Sequence, residues 1–349
     1  MSRWFIVLAG ASLLMGGCGK SELHLWYYFG EIHDYHFRNL LNHLWRQFPF
    51  SVVPRKFGSI RELEDSLLKV SEDNLPDVAL TYPSTVKALY EAGRLQPVDT
   101  TEVKPVLPGY CEFGGKKYCW PLFKSFVGFY LNVPLAQQVG LDTVFRLEDL
   151  LNLNTEYVVL GMYVSSTLYT AFTFTYASEG MSLKDACVEA GRLYYGLLHR
   201  PYVRLYPSPY RAQEDVVLER IVLLPGTSAY APYIEREGIA LKFVPLINRK
   251  GEKVLFLSGP DLVLLKGGER KMATTFVKTL YSTLEKDTVW RRFGYIPAIT
   301  LREKNIYHDM NFNVPRQEIR ELIRSFVGAD SLDLNAVERV CEKFRRLEW

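Results

Sequence analysis

Residues 21–93, SELHLWYYFGEIHDYHFRNLLNHLWRQFPFSVVPRKFGSIRELEDSLLKVSEDNLPDVALTYPSTVKALYEAG, decide the architecture. Leu23 to Phe29 is an apolar, aromatic strand. Phe37, Leu40, Leu41, Leu44 and Phe48 then recur at the spacing of a helix with one buried face, until Pro49 ends it. Phe50 to Val53 reads as a second strand. Ser59 and Glu62 have the spacing of a capping box, which opens a helix through Ile60, Leu63 and Leu67. Pro76-Asp77 leads into the short strand Val78 to Leu80, and Pro83 and Ser84 begin a helix that stops at Gly93. Such alternation builds an α/β fold, a mostly parallel sheet with helices on both faces. Ligands of these sheets sit at the carboxyl ends of the strands, which nominates Trp26-Tyr27-Tyr28, Gly58-Ser59 and Thr81-Tyr82.

Upstream of this stretch, Arg3 precedes an uncharged run from Trp4 to Met15. About a dozen residues fall short of the roughly 20 that cross a bilayer as a helix, so residues 1–17 read as a secretory signal peptide. Met15-Gly16-Gly17-Cys18 resembles a lipobox, in which Cys18 becomes the lipidated N-terminus. Residues 18–22 are then a tether, and the expected location is extracytoplasmic, anchored to the lipid bilayer through Cys18.

The chain has 349 residues, enough for two domains or one large one. A net charge of +3, without a basic cluster, excludes a nucleic-acid partner. The 22 tyrosines are the unusual feature of the composition. A tyrosine offers a flat apolar face and a hydroxyl, which suits a polyol, although cores and wet interfaces use it too. Cys111 and Cys119 flank the turn signal Gly114-Gly115 and so lie across a hairpin. Whether they face each other depends on one residue of loop length, and that pairing stays open, as does Cys187 with Cys341. The cysteine spacings match no zinc pattern. No G-x-S-x-G elbow, Walker A loop or H-E-x-x-H helix is present, Ser125 has no identifiable histidine partner, and no pair of carboxylates stands out. An enzyme is not expected, nor a cofactor or a structural metal.

Downstream, Gly128 to Leu131 and Tyr157 to Gly161 read as strands, with a short helix from Pro134 to Val139 between them. Helices follow at Thr167 to Ser178 and Leu183 to His199. Arg200 to Ala212, carrying Pro201, Pro207 and Pro209, reads as an irregular connection. Leu241 to Pro245, Lys253 to Leu257 and Asp261 to Leu265 are strands, and Ala273, Phe276, Val277, Leu280 and Leu284 mark an amphipathic helix. Two more helices close the chain.

Several segments carry a family likeness in their order and spacing. They are Leu25-Trp26-Tyr27-Tyr28-Phe29, Leu75-Pro76-Asp77-Val78, Glu91-Ala92-Gly93-Arg94-Leu95 and Gly115-Lys116-Lys117-Tyr118 through Pro121. Tyr130-Leu131-Asn132 with Gly140-Leu141-Asp142, and Gly294-Tyr295-Ile296-Pro297, complete the set. Together they resemble the family 1 extracellular solute-binding proteins of ABC importers, in the group that takes up sugars and glycerol phosphate. The resemblance implies a two-lobed periplasmic-binding-protein type II fold with hinge-connected lobes that close around ligand. Residues 23–124 and 260–298 would form lobe 1, and 128–257 with 300–349 lobe 2. The chain would cross near Lys124–Gly128, at Ser258–Pro260 and again beyond Pro297. The region between Gly180 and Gly226 is shorter than is typical of the family.

By the same resemblance, Tyr27, Tyr28, Tyr163 and Tyr169 fall where aromatic rings stack on ligand. Ser125 falls at a polar contact of the crossover, and Gly259 and Tyr295 at cleft positions. Thr227-Ser228 resembles a ligand-binding turn, and would serve equally as an ordinary N-cap. Glycerol-phosphate members carry an arginine where Asn311-Phe312-Asn313-Val314 stands here; Arg316 and Arg320 read as surface charges. A neutral sugar or polyol is therefore expected, with glycerol 3-phosphate close behind. Two metal-like signals are weighed against blander readings. His33 and His36 share a helical face, and Tyr194-Tyr195 is similar to the pair that ferric-ion-binding relatives use; solvated histidines and buried tyrosines are preferred. The resemblance implies a monomer that captures a small-molecule solute and delivers it to an ABC permease. The alternatives are a metal-binding member of the fold and a non-transport scaffold. A tyrosine-lined mouth would favour binding, and a cleft filled with large apolar side chains the scaffold.

Overall fold

Two large sheets divide the chain in the computed structural model, which describes residues 21–100, 110–153, 155, 157–234, 240–286, 294–298, 305–308 and 312–346. The leader, Cys18 and Asn311 lie outside the described residues. In the first sheet β1 (Glu22–Tyr27), β2 (Ser51–Lys56) and β3 (Val78–Thr81) run parallel, with β1 between the other two. The helices α1 (Glu31–Leu44), α2 (Ile60–Lys69) and α3 (Pro83–Glu91) follow them in turn. Ser59 caps α2 by accepting from the Glu62 amide at 3.1 Å, and the Glu62 carboxylate accepts from the Gly58 amide at 2.9 Å. Alternate β1 side chains go to opposite faces. Leu23, Leu25 and Tyr27 meet Phe37, Leu40 and Leu44 of α1, while Trp26 joins Leu63 and Leu67 of α2 and Val86 and Leu89 of α3. Fully burying such a side chain contributes about 1.5–3 kcal/mol, so the sheet is held from both sides.

The hairpin of β4 (Glu112–Phe113) and β5 (Lys116–Lys117) turns at Gly114-Gly115, and Cys111 and Cys119 are joined in a disulfide beside it. β6 (Cys119–Pro121) lies at the edge of the first sheet. Then comes β7 (Phe123–Asn132), longer than the strand expected at Gly128 to Leu131 because it begins in the crossing between the sheets.

In the second sheet, α4 (Val133–Gln138) leads toward β8 (Leu160–Tyr163), followed by α5 (Ser166–Ala177) and α6 (Leu183–Leu198). The stretch read as irregular is instead β9 (Val203–Tyr206) and α7 (Pro209–Val217). Pro209 starts that helix, where the missing N–H costs nothing. β10 (Leu223–Thr227), α8 (Ala231–Ile234), β11 (Leu241–Ile247) and β12 (Lys253–Ser258) come next. β8 runs parallel to β9 and β10, and β7 lies antiparallel between β10 and β11.

From β12 the chain returns to the first sheet as β13 (Asp261–Leu264), antiparallel to β3 and β6. α9 (Arg270–Lys286) lays Phe276, Val277 and Leu280 on the same face as α1. β14 (Ile296–Pro297) pairs with the first residues of β7, and β15 (Asn305–His308) pairs with β12 in the second sheet. After β16 (Phe312–Asn313), α10 (Arg316–Phe326) and α11 (Leu334–Cys341) bury Ile319, Leu322, Ile323 and Val337 in the second core. A disulfide ties Cys187 of α6 to Cys341, and β17 (Arg345–Arg346) pairs back onto β16.

Candidate functional site

The carboxyl ends of β1, β3, β8, β9 and β10 all open into loops that lead to helices, and tyrosines crowd there. Tyr82 caps the end of β3 and its hydroxyl lies 3.5 Å from that of Tyr295. Tyr295 is 6% exposed, its ring set against Phe29, His33 and Phe123. From the other sheet, Tyr163 ends β8 and donates to the Pro225 carbonyl at 3.2 Å. Tyr230 and Tyr233 follow β10, and Tyr233 approaches His33 with ring centroids 5.2 Å apart and its hydroxyl 3.4 Å from Nδ1. Burial pushes the Tyr295 hydroxyl well above the ordinary tyrosine range, and the nearby Tyr82, Tyr233 and Tyr230 push the same way. Burial likewise raises Tyr82, with Tyr28 adding to it, and raises Tyr163, with Tyr230 adding. All of these phenols are neutral at physiological pH. The described rings thus bring neutral hydroxyls together, with Glu31 near enough to add to the raised pKa of Tyr233.

His33 bridges the lobes at the base of this cluster. Its Nε2 lies 3.0 Å from the Ala229 carbonyl. A carbonyl only accepts, so Nε2 carries a proton and donates it to Ala229. The expectation of a solvated His33 is corrected: the residue is buried between the lobes. Gly30, just before α1, makes room for this contact, since a Cβ there would stand 2.9 Å from the Tyr233 hydroxyl.

Of the residues singled out in the sequence, Tyr28, Tyr163 and Tyr295 come together in the cluster. Tyr27 and Tyr169 do not. Tyr27 turns into the α1 face and donates to Asp34 at 2.9 Å, and Tyr169 is a core residue of α5 whose hydroxyl donates to the Cys187 carbonyl at 2.9 Å. Both rings are fixed by packing rather than turned to a cleft. Ser125 and Gly259 belong to the hinge. Ser125 donates to the Ser258 carbonyl at 3.5 Å, and the close approach at Gly259 (φ +124°) is made by the Phe123 carbonyl, 2.3 Å from where a Cβ would sit. The crossing strand alone therefore requires a glycine at 259. Thr227 and Ser228 line the wall beside the hinge. The Thr227 carbonyl accepts from Tyr130 at 2.8 Å, and the Ser228 hydroxyl accepts from the Phe126 amide at 3.4 Å. Tyr82 was marked by topology alone, whereas Tyr230 and Tyr233 had no sequence signal, because a single 3-10 turn and a four-residue helix carry no periodicity.

The crossing itself is built on a buried charge cluster. Lys124 and Asp261 are an ion pair with both side chains fully buried, and the Lys124 ammonium also donates to the Tyr110 hydroxyl at 2.5 Å and the Gly259 carbonyl at 3.3 Å. Tyr110 donates to Asp261 at 2.6 Å. Burial pulls Lys124 down and Asp261 up, each opposed by the charge of the other. Among the described residues, the one group spaced to hold a metal is Cys111, Cys119 and Asp261, and its two sulfurs are joined to each other. Tyr194 and Tyr195 lie within α6, with hydroxyls on the carbonyls of Tyr163 and Ala329, so they do not present paired phenolates to one site.

No protein-family model matches the chain, and no curated protein sequence does. Solved structures do. The chain is similar to the sugar-binding protein MalE from the phytopathogen Xanthomonas citri, with a TM-score of 0.75 and 13% identity over 92% of this chain and 96% of that one. It is similar to the GacH receptor of Streptomyces glaucescens, solved with acarbose, at a TM-score of 0.72 and 14% identity over 92% and 96%. UgpB from Mycobacterium tuberculosis, solved with glycerophosphocholine, matches at 0.71 and 15% identity over 93% and 97%. The fold is that of the two-lobed type II periplasmic binding proteins.

Proposed function

We propose that this chain is the solute-binding lipoprotein of an ABC importer, exported and held at the membrane through Cys18. It captures a sugar or polyol between lobes formed by 23–124 with 260–298 and by 128–257 with 300–349, and delivers it, as a monomer, to a permease. The observation that carries this reading is the convergence of Tyr28, Tyr82 and Tyr295 with Tyr163, Tyr230 and Tyr233 across the crossing strands. Ring faces cover the apolar faces of a polyol, and hydroxyls and strand-end amides take its polar groups. Neutral phenols and no covalent chemistry suit capture rather than catalysis. Two of the solved proteins named above, GacH and UgpB, were obtained with acarbose and with glycerophosphocholine, which supports a small polar solute.

The test is a thermal-shift screen of sugars, polyols and glycerol phosphates on the mature domain. A true ligand at 100 times its Kd stabilises by about 2.7 kcal/mol. The expected hits are neutral carbohydrates or polyols. A shift with glycerol 3-phosphate alone would overturn the preference for a neutral solute, and no shift with any of them would overturn the reading.

A further inference from the structure

The amino ends of β1 and β2 lie at the opposite end of the first sheet from the loops that carry the tyrosines. Ser21 is exposed there, its carbonyl accepts from the Ser51 amide at 2.9 Å, and the two strands pair from Glu22 and Ser51 onward. α1 runs back from the carboxyl end of β1 and delivers its C-cap, Trp45, to this same end. The return into β2 is short: a 3-10 turn, Trp45–Gln47, then Phe48 and Phe50 stacked with centroids 5.4 Å apart. At about 2.0 Å per residue in the turn and about 3.5 Å beyond it, Trp45 stands within roughly 17 Å of Ser51. By the same measure Cys18 stands within about 11 Å of Ser21.

Trp26 and Trp120 are buried, whereas Trp45 is 56% exposed. The Arg46 guanidinium lies over its ring, 5.6 Å from the centroid, and has no carboxylate partner among the described residues. No Asp or Glu occurs between Asp34 and Glu62. Several carboxylates at this end are already engaged. Glu72 pairs with Lys266 at 3.0 Å, Glu22 faces His24 at 3.9 Å, and Asp77 accepts from the amides of His24 and Glu269. An exposed indole backed by a guanidinium suits the headgroup layer of a bilayer, where the amphipathic ring settles and the guanidinium pairs with lipid phosphate. A single surface tryptophan is by itself unremarkable. What selects a bilayer as its partner is the short stretch of chain that joins this end of the sheet to Cys18.

We propose that Trp45 and Arg46 dock the amino-terminal end of the first sheet on the phospholipid surface that holds the acyl chains of Cys18. The short tether keeps this end at the bilayer, the indole enters the headgroup region, and Arg46 meets phosphate beside it. The receptor then rests with the first sheet between the membrane and the carboxyl-end loops. Trp45 has to leave the lipid before those loops can turn toward a permease. This rests on the lipoprotein reading above and adds to it a second, reversible contact with the membrane.

Tryptophan quenching by brominated lipid tests it. The full chain is exported, purified in detergent as wild type, W45F and R46E, and checked by mass spectrometry for acylation at Cys18. Each protein is then reconstituted into phosphatidylcholine vesicles with brominated acyl chains, which quench an indole only when it enters the bilayer. Both side chains are exposed, so all three proteins fold. Wild type shows a quenched component that W45F lacks, and R46E, with a carboxylate facing lipid phosphate, shows less of it. Equal quenching of acylated wild type and W45F overturns the inference and leaves the lipid anchor and solute capture intact. Undiminished quenching in R46E overturns the role of Arg46. A processed chain without an acyl group at Cys18 overturns both the inference and the lipoprotein reading.

Discussion

Lys124 and Asp261 meet where neither can reach water, and their cost of desolvation is offset by each other, by Tyr110 and Gly259, and by the Leu122 backbone. Removing one partner leaves an uncompensated buried charge. Lys124→Met is therefore expected to destabilise the protein by about 3–5 kcal/mol in denaturant unfolding, and the double variant Lys124→Met/Asp261→Leu by less than the single one. Equal losses would mean that the pair is not energetically coupled. Asp34 behaves differently. Burial works to raise its pKa, but hydrogen bonds from Lys56 and Tyr27 and the charges of Lys56 and Arg38 outweigh it, and the net shift is below the ordinary 3.8. A carboxyl with a lowered folded pKa contributes stability that is fully present above the unfolded value and is lost as pH falls through the folded one. Asp34→Asn should thus reduce stability at neutral pH and flatten its decline in the acid range below that value. An unchanged acid limb would remove Asp34 from the account.

Among the elements, the two disulfides close very different loops, with sequence separations of 8 for Cys111–Cys119 and 154 for Cys187–Cys341. In the chain-entropy picture they constrain the unfolded state by about 2.5 and about 5 kcal/mol respectively. Replacing Cys187 and Cys341 by alanine should lower the melting temperature more than replacing Cys111 and Cys119, and the reverse order would place their effect in the native state instead. The sequence made most elements of the first sheet legible, because Phe37, Leu40, Leu41 and Leu44 keep a strict period and Ser59 and Glu62 mark a helix start. β9 was hidden because Arg204 and Leu205 are both exposed on an edge strand, so no apolar run betrays it, and Pro209 at the head of α7 resembles a loop residue. Adjacent tyrosines were equally ambiguous. Tyr27 is the last residue of β1 and Tyr28 the first beyond it, and nothing local says which of the two enters the core. The hydroxyl partner of Tyr295, Tyr82, lies 213 residues away in sequence, a distance only tertiary packing spans.

For the molecule as a whole, three crossings (β7, the β12–β13 link and β14) join the lobes, and His33 is the one described contact in which a side chain of α1 reaches the Ala229 carbonyl of the other lobe. Replacing His33 with alanine removes that bond and the Tyr233 contact together, and should shift the lobes toward a more open arrangement, seen as a larger radius of gyration in solution scattering. An unchanged radius would relegate His33 to local packing. Hinge closure over one solute is the central claim, and an interlobe distance reads it directly. With spin labels at Arg61 on α2 and Leu218 after α7, both exposed, double electron–electron resonance is expected to show two populations without solute. Adding the solute that gives the largest thermal shift should collapse them into the shorter one. A single distance that solute leaves unchanged would contradict closure.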